Sequence, residues 1–224
     1  MRRHRIALRG WLAYQAPWVQ NLGGSLVAPR CLGAGEQTGV AAWMALEDLS
    51  DLAGQPWPLA RFHTVARHLG VFNGAYLAGQ PIPEDAWLSR DWLRGWTERA
   101  GQMVALLPTV ADHPLVRQVF PESTITAFGE LWDDRNAVFA ALDRLPQTLC
   151  HRDIFPRNVF VRHTAEADHS VAIDWAFTGP GAVGEELAAL VGASLAFFEA
   201  EPADASKLEH RCLSGYLEGL RSAG

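Results

Sequence analysis

Apolar positions recur along this chain with two different periods, and the changes of period mark its organisation. Residues 6–22 carry Ile6, Leu8, Trp11, Leu12 and Val19 at helical intervals, with Pro17 breaking or bending the segment. The stretch SLVAPRCLGAGEQTGVAAWMALEDL then reads as two strands around a Gly-rich turn, the second over Val40 to Leu46. From Pro58 the period lengthens. Leu59, Phe62, Val65, Ala66, Leu69, Phe72, Tyr76 and Leu77 share one face and predict a helix over 58–78. QPIPEDAWL is a loop with two prolines. Helices are expected over 89–107 with Ser89 as N-cap, and over 123–145 with Ser123 as cap and Pro146 after its end.

Short strands follow over 148–150, 158–162 and 170–174, and the polar HTAEADH joins the last two. TGPGAVG reads as another loop. Glu185 to about Phe198 is helical, and Asp204 is placed to cap a last helix running to about Arg221. A little β, three long helices, a β cluster and two more helices make an α+β chain that is mostly helical. No internal repeat or long low-complexity tract interrupts it.

Composition narrows the class. The chain has 224 residues, enough for one sizeable domain or two small ones, and 49% of them are hydrophobic, enough for a packed core. A net charge of −6 without a basic stripe argues against nucleic acid as a partner. Cys31, Cys150 and Cys212 are odd in number and widely spaced, which suits neither zinc nor a disulfide framework and points to a reducing, cytoplasmic setting. The basic start MRRHRIALRGWLAYQ lacks the apolar run of a signal peptide. No stretch reaches the roughly 20 apolar residues of a membrane span. Of 19 basic residues, only Lys207 is a lysine.

The chemistry concentrates in LCHRDIFPRNVFVR, residues 149–162, and in the VAIDW that follows. Phosphoryl transfer needs a carboxylate near the attacking hydroxyl and hard oxygen ligands for the cation that holds the triphosphate. Asp153, Asn158 and Asp174 supply one carboxylate, one amide oxygen and a second carboxylate. The first two stand at the spacing of the H-R-D-x-x-x-x-N catalytic loop, and Asp174 is expected at the end of the third short strand. The bland readings are an Asx-type turn for Asp153 and Asn158, and a strand-end cap for Asp174.

HRDIFPRNVF followed by VAIDWAFTGPGAVGEELAALV resembles the catalytic half of the aminoglycoside phosphotransferase family, relatives of the choline kinases within the protein-kinase-like fold. LVAPRCLGAGEQTGVAAWMALEDL is similar to the stretch leading into that family's hinge, and ARHLGVFNGAYL to its first large-lobe helix. The resemblance spans most of residues 8–220. It implies a partial β small lobe with the hinge over residues 1–49 and a mostly helical catalytic lobe over 50–224. It implies ATP and Mg²⁺ as cofactors and a hydroxyl-bearing small molecule as partner.

Residue by residue, the resemblance implies Asp153 as catalytic base or hydroxyl-orienting group and His151 as a brace of the loop. It implies Asn158 and Asp174 as Mg²⁺ ligands. Glu47, Asp48 and Leu49 would form the hinge, their backbone facing adenine. Glu186 would support the catalytic loop beside Arg152, with Glu185 as the close rival. The family's Gly-rich phosphate-covering loop and its small-lobe lysine have no counterpart among these residues.

That departure keeps a second expectation in view, a catalytically inactive kinase-like binding module or a truncated fragment. Glu47 and Asp48 could equally be a solvated turn, and Glu185 and Glu186 a charge complement to a helix N-terminus. Trp87, Trp92 and Trp96 are expected in packing, or else lining a substrate pocket. A metal-dependent hydrolase would need a further ligand cluster that the sequence does not offer.

Overall fold

The computed structural model describes residues 2–37, 41–50, 56–165 and 167–224, without the side chains of residues 2–7, 36, 37, 41 and 42. Its helices are α1 (Arg2–Gln15), α2 (Pro17–Gln20), α3 (Leu59–Leu77), α4 (Trp92–Val104), α5 (Leu107–Val110), α6 (Pro114–Val119), α7 (Glu122–Asp133), α8 (Arg135–Asp143), α9 (Glu185–Ala188), α10 (Ser194–Ala196) and α11 (Ala205–Ser222). Its strands are β1 (Leu26–Val27), β2 (Cys31–Gln37), β3 (Ala41–Leu46), β4 (Gln147–Cys150), β5 (Val159–His163), β6 (Asp168–Ala172) and β7 (Gly179–Ala182). Val40, expected to open the second strand, lies outside the described residues, as does Glu166 in the HTAEADH loop.

The chain divides into two compact units, residues 1–90 with 147–224, and residues 91–146. The first holds all the strands. β5 and β6 form an antiparallel hairpin, and β1 pairs parallel with β6 through Leu26 opposite Ser170 and Val27 opposite Val171. β2 and β3 form a separate antiparallel pair, and so do β4 and β7.

α3 is helical for the reason its spacing suggests. Phe62, Val65, Ala66, Leu69, Phe72 and Tyr76 are all buried on one face. They pack against Leu208, Cys212 and Tyr216 of α11 and against Leu149, Ile154, Val159 and Trp175 of the β cluster. The α3–α11 crossing is close because glycines face each other across it. A Cβ on Gly219 would stand 2.0 Å from the Arg67 carbonyl oxygen, and one on Gly70 would stand 2.1 Å from that of Tyr216. Each large apolar side chain buried in this core contributes about 1.5–3 kcal/mol.

A polar chain runs through the same core. The Tyr216 hydroxyl donates to Asn73 Oδ1 at 2.7 Å and accepts the Gly184 N–H at 3.0 Å. Asn73 donates to the Leu149 carbonyl at 2.8 Å and accepts the Thr148 hydroxyl on its own carbonyl at 2.9 Å. These bonds satisfy buried polar groups that would otherwise be costly, and they fix β4 against α3 just before the catalytic-loop motif.

Four expectations change. Ser89 caps no helix: α4 begins at Trp92, with Asp91 in the cap position. The helix expected over 123–145 is two, α7 and α8, broken at Asp134, and it opens from Pro121 rather than Ser123. TGPGAVG is not a plain loop, because Gly179–Ala182 is a strand paired with β4. The third short strand ends at Ala172, so Asp174 stands beyond it. In the second unit the segments α4–α7 bury none of their residues and α8 buries only Phe139, against whose ring the Arg94 guanidinium lies at 4.7 Å.

Among the described residues no helix is long and apolar enough to cross a membrane. Cys31, Cys150 and Cys212 are free thiols.

Candidate active site

β4 delivers His151, Arg152 and Asp153 to the end of the β cluster. A single 3₁₀ turn, Pro156–Asn158, then reverses the chain into β5. Pro156 suits the first position of that turn because its φ is already near the helical value. The turn closes with the Asn158 N–H donating to the Phe155 carbonyl at 2.9 Å. β6 comes back antiparallel to β5, and the Ile173 N–H donates to the Asn158 carbonyl at 2.9 Å. The hairpin therefore sets Asn158 against the residue that precedes Asp174.

Asp153 and Asn158 are joined directly. The Asn158 amide donates to the Asp153 carboxylate at 2.8 Å and to its carbonyl at 3.0 Å. With the amide nitrogen so used, the Asn158 Oδ1 is the free end of the side chain. The Asp153 carboxyl is pushed up to about 6, first by burial and then by the nearby charge of Asp174, against the pull of the Asn158 amide.

Asp174 has a left-handed backbone, φ 59° and ψ 63°, and an exposed side chain. Asp and Asn tolerate this region better than other β-carbon residues. It turns the chain sharply from the hairpin into the Trp175–Phe177 3₁₀ turn and leaves the carboxylate outward.

Trp175 anchors that turn. It is fully buried, its indole donates to the Ala172 carbonyl at 2.8 Å, and His151 meets its ring edge-on at 4.5 Å. Trp18 and Phe72 approach the same ring edge-on at 6.5 and 6.2 Å. His151 is itself fully buried, and its Nδ1 accepts the Asp153 N–H at 3.2 Å. Burial drives its pKa down to about 3, with the Ile173 backbone opposing, so the ring is neutral and holds the loop as a hydrogen-bond acceptor.

Beneath the loop, the buried carboxylate of Glu186 accepts the N–H groups of His151 and of Arg152, the latter at 3.2 Å. Burial pushes Glu186 up to about 7, and the two backbone donors oppose it. Glu185 takes the other partner: its carboxylate accepts Arg152 Nε at 2.9 Å and the Ala182 N–H at 3.1 Å. The two adjacent glutamates thus divide the loop, Glu186 holding backbone and Glu185 holding the Arg152 side chain.

The hinge candidates lie in irregular backbone after β3. Glu47 is committed within the protein. Its N–H donates to the Arg30 carbonyl at 2.9 Å, and its carboxylate accepts from the Arg30 backbone and guanidinium and from Arg162 of β5. Burial alone would raise this carboxyl, but the Arg30 hydrogen bonds and the two arginine charges outweigh it and hold the group below its usual value. Asp48 is exposed and Leu49 half-buried.

Two neighbours of the Asp174 turn left little signal in the sequence. Tyr14 of α1 is buried with its phenol beside Asp174, and burial raises its pKa above the usual range. One helical turn earlier, Gly10 faces Ala176: a Cβ there would lie 3.9 Å from the Ala176 Cβ. Their spacing of four along α1 is the only sequence trace of this shared face. Trp87, a candidate pocket residue, is buried and stacked on Trp18 at 5.8 Å. Trp96, in the other unit, is exposed under the Arg99 guanidinium at 4.3 Å.

A protein-kinase-like α+β fold that ends a β hairpin in Asp153, Asn158 and Asp174 defines a class, and comparison with known proteins agrees with it. Residues 7–221 match the phosphotransferase enzyme family, APH, and the chain belongs to that family. No curated protein matches it. Among solved structures, it is similar to amicoumacin kinase hAmiN in complex with AMP-PNP, Ca²⁺ and Ami, with a TM-score of 0.58 at 15% identity. That alignment covers 100% of this chain and 64% of the kinase, so this chain spans less than two thirds of the kinase's length. A GDP complex of a mutant aminoglycoside 2′-phosphotransferase-IIIa matches with a TM-score of 0.48 at 12% identity, covering 99% of this chain and 77% of that one.

Proposed function

We propose that this member of the phosphotransferase family moves the γ-phosphoryl group of ATP to a hydroxyl of a small molecule, with Mg²⁺ as its cation, in the cytoplasm. The observation that carries this is the direct bond between Asn158 and Asp153, set by the hairpin next to Asp174. A surface Asx turn would not need a half-buried carboxylate with a raised pKa beside a second carboxylate.

The donor set fits the cation. Asn158 Oδ1 and the exposed Asp174 carboxylate are hard oxygen ligands, the kind Mg²⁺ takes alongside water and phosphate oxygens. Among the described residues no cluster of three His, Cys, Asp or Glu offers an alternative. When bound, the cation would neutralise charge on the transferring phosphoryl group.

The protein's own groups do the rest. Asp153 orients the acceptor hydroxyl and receives its proton at the carboxylate. The Asn158 amide fixes the orientation of that carboxylate, and neutral His151 fixes its backbone. Glu186 and Arg152 hold the loop from below. Asp48 and Leu49 present hinge backbone to the adenine, while Glu47 ties that hinge to β5 through Arg162. In this reading residues 1–49 form the small-lobe part and 50–224 the catalytic lobe.

One observation favours a second reading, a catalytically inactive kinase-like binding module or fragment that does not take up Mg·ATP. The single lysine, Lys207, pairs with Asp204 at 2.7 Å at the start of α11 and is committed there. Calorimetric titration of the chain with Mg·ATP separates the two. Saturable binding that is lost in Asp174→Ala supports the enzyme, and no heat of binding at millimolar nucleotide supports the inert module.

A further inference from the structure

The geometry points to Glu185 and Ser89 as positioning residues for Asp153, acting through the Arg152 side chain. The inference rests on Asp153 being the group that meets the acceptor hydroxyl.

Arg152 stands between His151 and Asp153 with φ at 71°, in the left-handed region. A long side chain persists there only where its surroundings over-determine it. They do so here. Arg152 Nε donates to Glu185 at 2.9 Å, Nη1 to the Ser89 carbonyl at 2.5 Å, and Nη2 to the Pro180 carbonyl. The three acceptors come from three separate segments, and the planar guanidinium fork fixes them relative to one another. The Arg152 and Glu185 side chains are only 4% and 12% exposed. The guanidinium is thus spent on the protein interior, so its effect on chemistry passes through the backbone it shares with Asp153.

Space for this clamp is cut by β7. A Cβ on Gly181 would stand 2.5 Å from the Glu185 carboxylate and 2.9 Å from Arg152 Nη2. A Cβ on Gly179 would stand 2.1 Å from the Ser89 carbonyl oxygen that Arg152 holds. Gly-Pro-Gly is therefore a slot for an ion pair. Ser89 is fixed on its other side as well, its N–H donating to the Thr178 carbonyl at 2.8 Å.

The connectivity gives the clamp a second consequence. The chain leaves the first unit just after Ser89 and re-enters at Gln147, four residues before His151. Arg152 therefore pins the departing strand of chain at the loop to which the returning strand leads.

The test uses Glu185→Gln, which keeps size and removes charge, and Arg152→Gly, which relieves the φ strain while removing the clamp. Each is expected to lower kcat by about tenfold or more, with KM for Mg·ATP held within about twofold. The double variant should be no worse than the poorer single one, since both remove one unit. Amide exchange at His151, Arg152 and Asp153 should quicken in both while the thermal transition remains cooperative. Wild-type kcat in Arg152→Gly, or unchanged exchange in Glu185→Gln, overturns the inference. If the parent protein transfers no phosphate, the functional reading fails by itself. The exchange rates at 151–153 in Glu185→Gln then still decide the clamp, quickening in its favour and constancy against it.

Discussion

The side-chain amide of Asn158 donates to the Asp153 carboxylate at 2.8 Å and to the Asp153 carbonyl at 3.0 Å. This pair makes one residue both the orienter of a half-buried carboxylate and the holder of an amide oxygen for a cation. Replacing Asn158 by Ala should do two things at once. The Mg²⁺ concentration for half-maximal activity should rise by at least about 10- to 100-fold. Loss of the amide donor should move the acid limb of the kcat/KM profile to higher pH, since that hydrogen bond lowers the Asp153 pKa. A metal titration and a pH–rate profile of the variant check both.

In the parent protein the acid limb should fall near pH 6, because Asp153 must be ionised to take the hydroxyl proton and its pKa is raised to about 6. An acid limb near pH 4 would place the base in ordinary solvent.

The same shift has a stability consequence of opposite sense. The Asp153 pKa is higher folded, about 6, than the ordinary value of 3.8 that an unfolded chain would show. Between those values the folded state binds more protons, so stability falls as pH rises through the window, and the full cost is present above it. Asp153→Asn should therefore melt higher than the parent at pH 8, with the advantage shrinking towards pH 4. Parallel melting curves across that range would contradict the burial argument.

The α3–α11 crossing predicts a contrast between two glycines. Gly219→Ala drives a methyl to 2.0 Å from the Arg67 carbonyl oxygen and should destabilise by about 1–3 kcal/mol or more. In α7 a Cβ on Gly129 would meet nothing within 4 Å, so Gly129→Ala should be neutral or stabilising by about 0.5–1 kcal/mol. Denaturant unfolding monitored by circular dichroism measures both.

Much of this arrangement could be read from residue spacing. His151, Asp153 and Asn158 stand in one local turn, and α3 announced itself by six buried residues on one face. What escaped reading lies in contacts between distant segments. Gly179 and Gly181 carry the marks of a loop, yet they form a strand because Ser89 and the Arg152–Glu185 pair occupy the space where side chains would be. Ser89 resembles a helix cap, but its backbone is taken by Thr178 and Arg152 before the helix starts. The break at Asp134 has neither Pro nor Gly to mark it, and α5 and α6 are too short to show a period. Tyr14 reaches Asp174 across 160 positions of sequence, beyond any local pattern.

Acceptor-dependent ADP formation, measured over a panel of hydroxylated small molecules for the parent chain and for Asp153→Ala, bears on the proposed chemistry most directly. The parent should turn over at least one acceptor in Mg·ATP. Asp153→Ala should lose about 10²-fold or more of that rate while still melting cooperatively and keeping its Mg·ATP affinity. Phosphoryl transfer at the parent rate in Asp153→Ala would contradict the assignment.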